Sequence, residues 1–321
     1  MQMLTGYWAS QTLSTAARLG VLDGLPAQVG DLAHQLKLDP EALRRLLRGC
    51  TALEAVSTAD GERFELTTLG RLLTSSAPGS LAGLAIMITD PGHWNSWGQL
   101  PHCVRTGKTG VLPGVQAEEI FEYYKHHPEE GSNFNRAMAS MSSAWAEQLA
   151  QFYDFSGCQT IVDVGGNHGI LLAAALKGAP HARGVLFDLP HVLTEADEEL
   201  RRHGIFERTD KISGDFFRSV PSGDLYLLKH ILHDWNDEQC TAILKSIRTA
   251  MDKSGKVLVL EMLLAAEPGM ADLMDLNMLV MTGGRERTAE QYGKLLASAD
   301  LKLERVIPTH GFYSILEARP T

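Results

Sequence analysis

Along residues 4–25 apolar side chains recur at helical spacing, with Trp8, Leu13, Ala16, Ala17 and Leu19 on one face ahead of Gly20. The pattern then changes. Residues 31–38 read as a short helix. Asp39-Pro40-Glu41 reads as a helix start, with an acidic cap and a proline in the first turn, and residues 42–50 carry leucines at helical spacing. Ala55-Val56-Ser57 and Arg63-Phe64-Glu65-Leu66 follow as two short strands around the turn Ala59-Asp60-Gly61. Helix, turn, helix and hairpin together make a winged-helix pattern. Residues 80–156 read as mostly helical, with Phe134, Met138, Met141 and Trp145 on one face. Such a stripe reads first as core and second as the wall of a pocket for a flat apolar ligand, because methionine adapts to aromatic surfaces.

From residue 160 the period switches to short apolar runs separated by helical stretches. Strands are expected at 160–164, 183–187, 211–213, 224–228 and 256–260, with helices between them, for example at 170–176 and 238–251. That alternation predicts an α/β domain with a doubly wound, mainly parallel sheet. Residues 301–307 and 312–318 read as two strands joined by Pro308-Thr309-His310-Gly311. So short a link cannot be a parallel crossover, so the last strand is expected to run antiparallel.

Composition narrows the picture. With 321 residues, 44% hydrophobic and 21% charged, the chain is an ordinary globular protein too long for one small core, which points to two domains. A winged helix suggests DNA binding, and its second helix carries Arg44, Arg45 and Arg48. The formal net charge of -10 favours reading those arginines as a solvated or ion-paired face instead, so no nucleic-acid partner is expected. No apolar run approaches the roughly 20 residues that span a bilayer, and residues 1–8 lack the basic and apolar regions of a secretory signal. A cytoplasmic protein without a membrane partner is expected. Cys50, Cys103, Cys158 and Cys240 lie too far apart for metal or redox spacing. His230 and His233 have no third histidine or cysteine cluster beside them, and no metal is expected.

The chemistry gathers at strand ends. Leu228-Lys229-His230-Ile231-Leu232-His233-Asp234-Trp235 leaves an apolar strand and turns abruptly polar. In an open α/β sheet ligands sit at the carboxyl ends of strands, and a histidine there suits a base working near neutral pH. Ile161-Val162-Asp163-Val164-Gly165-Gly166-Asn167-His168-Gly169 places glycines at the first strand-to-helix turn without the spacing of a dinucleotide fingerprint. Asp188 ends the second strand, where an acid accepts hydrogen bonds from a ribose. Gly214-Asp215-Phe216-Phe217 ends the third, an acid followed by aromatics that suit an adenine edge and face. Ribose and adenine without phosphates point to S-adenosylmethionine rather than a nicotinamide dinucleotide.

These motifs resemble those of the small-molecule O-methyltransferases of the plant caffeate type and their bacterial natural-product relatives. They run from the Asp163 glycine loop through Asp188, Gly214-Asp215-Phe216, Lys229 and His233-Asp234-Trp235 to Glu261 and Gly283-Gly284-Arg285-Glu286-Arg287-Thr288. The resemblance covers nearly the whole chain. It implies a Rossmann-like methyltransferase sheet behind an N-terminal all-α/winged-helix dimerisation domain, with residues 1–100 dimerising and 101–321 binding S-adenosylmethionine. Within the latter, 101–156 would form a helical linker and substrate pocket. It assigns cofactor contacts to Gly165, Asp188, Gly214, Asp215, Phe216 and Lys229, and the general base to His233, flanked by the carboxylates of Glu261 and Glu286. Phe134-Asn135-Arg136-Ala137-Met138 resembles the substrate helix, and Phe134, Met138 and Met278 are the expected substrate contacts. The implied reaction is methyl transfer to a hydroxyl of a small aromatic substrate by a homodimer. The alternatives are a relative that uses the same cofactor for decarboxylation, hydroxylation or ring closure, and a winged-helix regulator. The loop departs from the family pattern where Asn167 and His168 replace a glycine and a hydroxyl residue. Asparagine accommodates positive φ better than most residues, so the loop shape is expected to survive.

Overall fold

The computed structural model describes residues 1, 3–77, 79–110 and 120–321, without the side chains of residues 144, 145, 147 and 148. Trp145, expected on the apolar stripe, therefore has its side chain outside the described residues. The chain forms two compact units, one of residues 1–95 with 124–144, the other of 96–123 with 145–321. The division falls inside the helix Pro128–Phe152. Among the described residues no helix is long and apolar enough to cross a membrane.

In the first unit the expected helix over 4–25 is shorter, Gly6–Arg18. It stops because Gly20 turns left-handed at φ +69, the Gly20 N–H reaches Ala17 O at 3.0 Å and the Val21 N–H reaches Ala16 O at 3.0 Å. That is a Schellman ending, which only glycine enters without strain. Val21, Leu22 and Leu25 are buried all the same, in a core with Leu32, Leu43, Leu47, Cys50 and Phe64. Their apolar character came from the core and not from helical continuation. The helices Val29–Leu36 and Pro40–Ala52 and the hairpin follow as expected, the second helix capped by the Asp39 carboxylate accepting from the Ala42 N–H at 2.8 Å. Strands β1 (Ala27–Gln28), β2 (Val56–Thr58) and β3 (Arg63–Leu66) make a small sheet in the order β1-β3-β2. Arg44 pairs with Glu62 and, at 3.6 Å, with Glu41, in keeping with an ion-paired face. Leu4, Tyr7 and Trp8 at the N-terminal helix stay exposed.

The second unit is built on β4 (Thr160–Val164), β5 (Arg183–Asp188), β6 (Thr209–Ser213), β7 (Gly223–Lys229), β8 (Met251–Met262), β9 (Leu301–Pro308) and β10 (Tyr313–Pro320). Their order in the sheet is β6-β5-β4-β7-β8-β10-β9. The first five are parallel to one another, and β10 runs antiparallel to both β8 and β9. β8 begins at Met251, five residues earlier than the pattern suggested, because Asp252, Lys253 and Ser254 are exposed and read as loop. The chain goes from β4 outward to β5 and β6, then returns to the other flank of β4 with β7 and β8. This reversal is the topological switch point, and the carboxyl ends of β4 and β7 beside it are where such a sheet binds ligands.

Candidate active site

At the carboxyl end of β4 the chain must turn sharply under the next strand. Gly165 sits at φ +67, and a Cβ there would come within 2.4 Å of Ile231 Cδ1. Asn167 takes φ +52 and Gly169 φ +77, so asparagine does hold the left-handed turn in place of glycine. The Asn167 N–H donates to Asp188 Oδ2 at 2.9 Å, and the Leu189 N–H donates to Oδ1 at 2.7 Å. Each Asp188 oxygen keeps a second lone pair for a ligand hydroxyl. Burial raises the Asp188 pKa, with those two N–H donors opposing it. His168 is buried, its Nε2 3.5 Å from Glu195 Oε2, and burial lowers its pKa.

Past β6, Gly214 lies where a Cβ would meet the Phe187 ring at 2.5 Å, so glycine lets the chain cross that ring. Asp215 Oδ1 accepts from the Phe217 N–H at 2.9 Å. Phe216 and Phe217 stand edge-on to Trp235, with centroids 6.1 and 4.8 Å away, and Phe121 stacks on the same indole at 6.2 Å. Lys229 ends β7. Burial brings its pKa down to about 8, against the pull of Glu261 and Asp163, and its Nζ lies 3.3 Å from His230 Nδ1. Glycine turn, strand-end acids, aromatic faces and a buried lysine are parts that could hold an adenosine and its amino-acid tail, so the residues present fit S-adenosylmethionine.

Beyond β7 the chain makes a 3₁₀ turn, Leu232–Asp234, carrying His233, which is 5% exposed. Two carboxylates from distant segments close on it. Glu286 Oε1 lies 2.8 Å from His233 Nδ1, and Glu261 Oε2 lies 3.4 Å away. Glu261 Oε1 accepts the N–H groups of Ile231, Leu232 and His233 at 3.2, 3.1 and 3.3 Å, so this strand-end acid also builds the turn that bears the histidine. Burial pushes Glu261 up to about 7 and, with Asp275 adding, Glu286 up to about 8, while Arg287 opposes the rise at Glu286. His233 Nε2 is 3.7 Å from Asp234 Oδ1, beyond hydrogen-bond reach. Nδ1 is thus held by a carboxyl group, while Asp234 stands too far from Nε2 to bond it. His233, Glu261 and Glu286 also bring three ligand-type atoms within 4.8 Å of one another.

The Glu286 loop docks by backbone contact. A Cβ on Gly284 would lie 2.0 Å from His233 O, and the Arg285 N–H donates to that same oxygen at 2.8 Å. The Glu286 N–H donates to Asp275 Oδ1 at 2.8 Å. Glu286 and Arg287 are 1% and 2% exposed, so the run Arg285-Glu286-Arg287 is no surface ion pair. Asp275 and Arg287 are absent from the sequence-derived site. Only the double glycine ahead of a charged run hinted at a loop pressed against backbone. The His230 ring stacks on His233 at 5.0 Å and 21°, and burial with Lys229 beside it drives its pKa well down. Phe134 and Met138 are half-buried in the first unit, Phe134 against Tyr124 at 5.1 Å, whereas Met278 is buried in the second, on the helix Met270–Met281.

A family model described as an O-methyltransferase domain matches residues 97–302, and one described as an O-methyltransferase dimerisation domain matches residues 1–76. The chain belongs to the O-methyltransferase family. It is 38% identical over 326 residues to phenazine O-methyltransferase of Lysobacter antibioticus, covering 100% of this chain and 95% of that protein. It is 37% identical over 316 residues to 3-amino-4-hydroxybenzoate 4-O-methyltransferase of Streptomyces cremeus, covering 95% and 85%. Human N-acetylserotonin methyltransferase, solved with S-adenosylmethionine, superposes with a TM-score of 0.91 at 30% identity, covering 99% of this chain and 96% of that one. The protein is therefore an S-adenosylmethionine-dependent methyltransferase, with the mainly parallel sheet and N-terminal dimerisation domain expected of it.

Proposed function

We propose that this enzyme methylates a hydroxyl of a small aromatic natural product, with His233 as general base and no metal. The observation that carries the reading is the buried His233 Nδ1–Glu286 pair at 2.8 Å beside the switch point of the sheet. A phenol with pKa near 10 is almost wholly protonated at neutral pH. In its ionised form Glu286 accepts from Nδ1–H and fixes the tautomer in which Nε2 takes the hydroxyl proton. Glu286 and Glu261 then offset the charge of the imidazolium. Bound S-adenosylmethionine supplies a methyl group on a positive sulfur; Gly165, Asp188, Gly214, Asp215, Phe216 and Lys229 are the proposed contacts for it. Phe134, Met138 and Met278 are the proposed substrate contacts. An aromatic substrate is supported by the phenazine and hydroxybenzoate named for the two relatives.

The test is incubation with methyl-labelled S-adenosylmethionine and a panel of phenols, hydroxybenzoates and hydroxyphenazines, with and without a chelator, read by mass. Label on a hydroxyl oxygen, unaffected by chelation, is expected. Activity that a chelator abolishes and a divalent metal restores would overturn the metal-free reading.

Lys229 gives the cofactor site a pH dependence. Its folded pKa is depressed, so the ammonium is present below about pH 8 and is lost above it. Affinity for S-adenosylmethionine is expected to hold steady up to pH 8, then weaken by up to about tenfold per unit, the limit for one linked proton. Lys229→Met should abolish that part of the slope in a calorimetric titration; an unchanged slope would remove Lys229 from the cofactor site.

A homodimer through the N-terminal unit is part of the proposal. The dimerisation-domain match and the exposed Leu4, Tyr7 and Trp8 support it. A monomer mass by light scattering at micromolar concentration would contradict it.

A further inference from the structure

The His233–Glu286 pair joins two loops that are more than fifty residues apart in sequence. The carboxylate–imidazole contact alone does not hold them together. Arg287, 2% exposed, spans the junction. Its Nη1 donates to Leu232 O at 3.0 Å and Arg285 O at 3.2 Å, and its Nη2 donates to Trp235 O at 2.8 Å. Its Nε and Nη2 reach Asp237 Oδ1 at 3.0 and 2.7 Å. Leu232 and Trp235 flank His233 and Asp234, so one planar fork grips the carbonyls on either side of the base while its backbone carries Glu286. Asp237 opens the helix Asp237–Ala250, which anchors the far side of the grip. The guanidinium has no direct bond to Glu286; its one carboxylate partner in these contacts is Asp237.

We propose that Arg287 is a positioning residue. It keeps the His233 turn and the Glu286 loop in register, so that Nδ1 meets Oε1 in the protein before any ligand arrives. This rests on the reading of His233 as base. The chemistry requires arginine. A lysine ammonium is a point charge on a flexible stem and cannot reach Leu232 O, Trp235 O and the Asp237 carboxylate in one plane. Without the guanidinium Leu232 O keeps only the Trp235 N–H at 3.3 Å and the Cys240 thiol at 3.1 Å, and Trp235 O only that thiol at 3.5 Å, weaker donors that hold the turn less firmly. The same clamp accounts for Gly284: the loop must lie flat against His233 O for the Arg287 fork to reach past it.

The test uses the full-length protein labelled with ¹⁵N-histidine, read by NMR. Wild type is expected to show a slowly exchanging, low-field Nδ1 proton that is assigned to His233 by its absence in His233→Gln. In Arg287→Lys that resonance should be lost or exchange at least tenfold faster, while S-adenosylmethionine affinity stays within about threefold and the protein remains folded. Asp237→Asn, which removes the ion pair from an exposed position, should speed exchange in the same sense but less. An unchanged resonance in Arg287→Lys would overturn the inference and leave the base reading standing. If Arg287→Lys does not fold, unaltered exchange in Asp237→Asn overturns it instead. Absence of the proton in wild type would instead remove the His233–Glu286 pair itself.

Discussion

His233→Ala is expected to lower turnover on a phenolic substrate by about 10²- to 10⁴-fold, the usual contribution of a positioned general base. Cofactor binding should be nearly intact. The ring of His233 rests on Glu286, Glu261 and the stacked His230, whereas the proposed cofactor contacts come from the ends of β4, β5, β6 and β7. The loss should therefore appear in kcat, with the dissociation constant for S-adenosylmethionine measured by calorimetry within about threefold of wild type. Turnover within threefold of wild type would remove His233 as base. Removing the imidazole also leaves Glu261 and Glu286 buried without their shared partner. Glu261, lifted to about 7 by burial against the pull of His233, should then rise further, which spares the fold one uncompensated charge.

Gly284→Ala should be the most damaging single methyl group in the site. The added Cβ would stand 2.0 Å from His233 O and 2.5 Å from the Asp234 carbonyl carbon, which are backbone atoms that cannot swing aside. The loop must lift, taking the Glu286 carboxylate with it. A displacement of about 1 Å in a catalytic pair costs on the order of 10²-fold in rate, and overpacking of this kind costs about 1–3 kcal/mol of stability. Gly293→Ala is the matched control. It lies in the helix Ala289–Ala297, its Cβ would meet Leu303 Cδ2 at an ordinary 3.6 Å, and alanine is the better helix former. Activity should be kept there, with a small gain in melting temperature. Equal activity in the two variants would show that the Gly284 contact does not set the geometry of the base.

Much of this was readable from the chain because the information is local. Period-two and period-3.6 patterns follow from where single side chains point, and the strands of the sheet fell where the apolar runs placed them. Strand ends rich in acids, glycine and aromatics marked the cofactor side. The failures share one cause, which is that burial is decided by tertiary docking. The start of β8 carries the exposed Asp252, Lys253 and Ser254 and looks like a loop, yet the buried Met251 ahead of them already pairs with Gly223, and the register resumes at Lys256. Residues 19–25 look helical because they are apolar, but Gly20 ends the helix and their side chains fill the core from a turn. Arg287 lies in a charged run, yet it is buried because its partners, Leu232, Trp235 and Asp237, lie about fifty residues upstream. No local pattern carries that information. Asp275, which accepts the Glu286 N–H from eleven residues away, was missed for the same reason.

The central claim is that His233 removes a hydroxyl proton during methyl transfer. The most direct measurement compares wild type and His233→Ala on a weakly acidic phenol that the wild type methylates and on its ring-nitrated analogue, two phenols of similar size whose acidities differ greatly. With the weakly acidic phenol the variant should be slower by about 10²-fold or more. With the nitrophenol, already ionised at the assay pH, the base has no proton to take and the deficit should shrink to within about threefold. A deficit of the same size on both phenols, or none on either, would contradict the account.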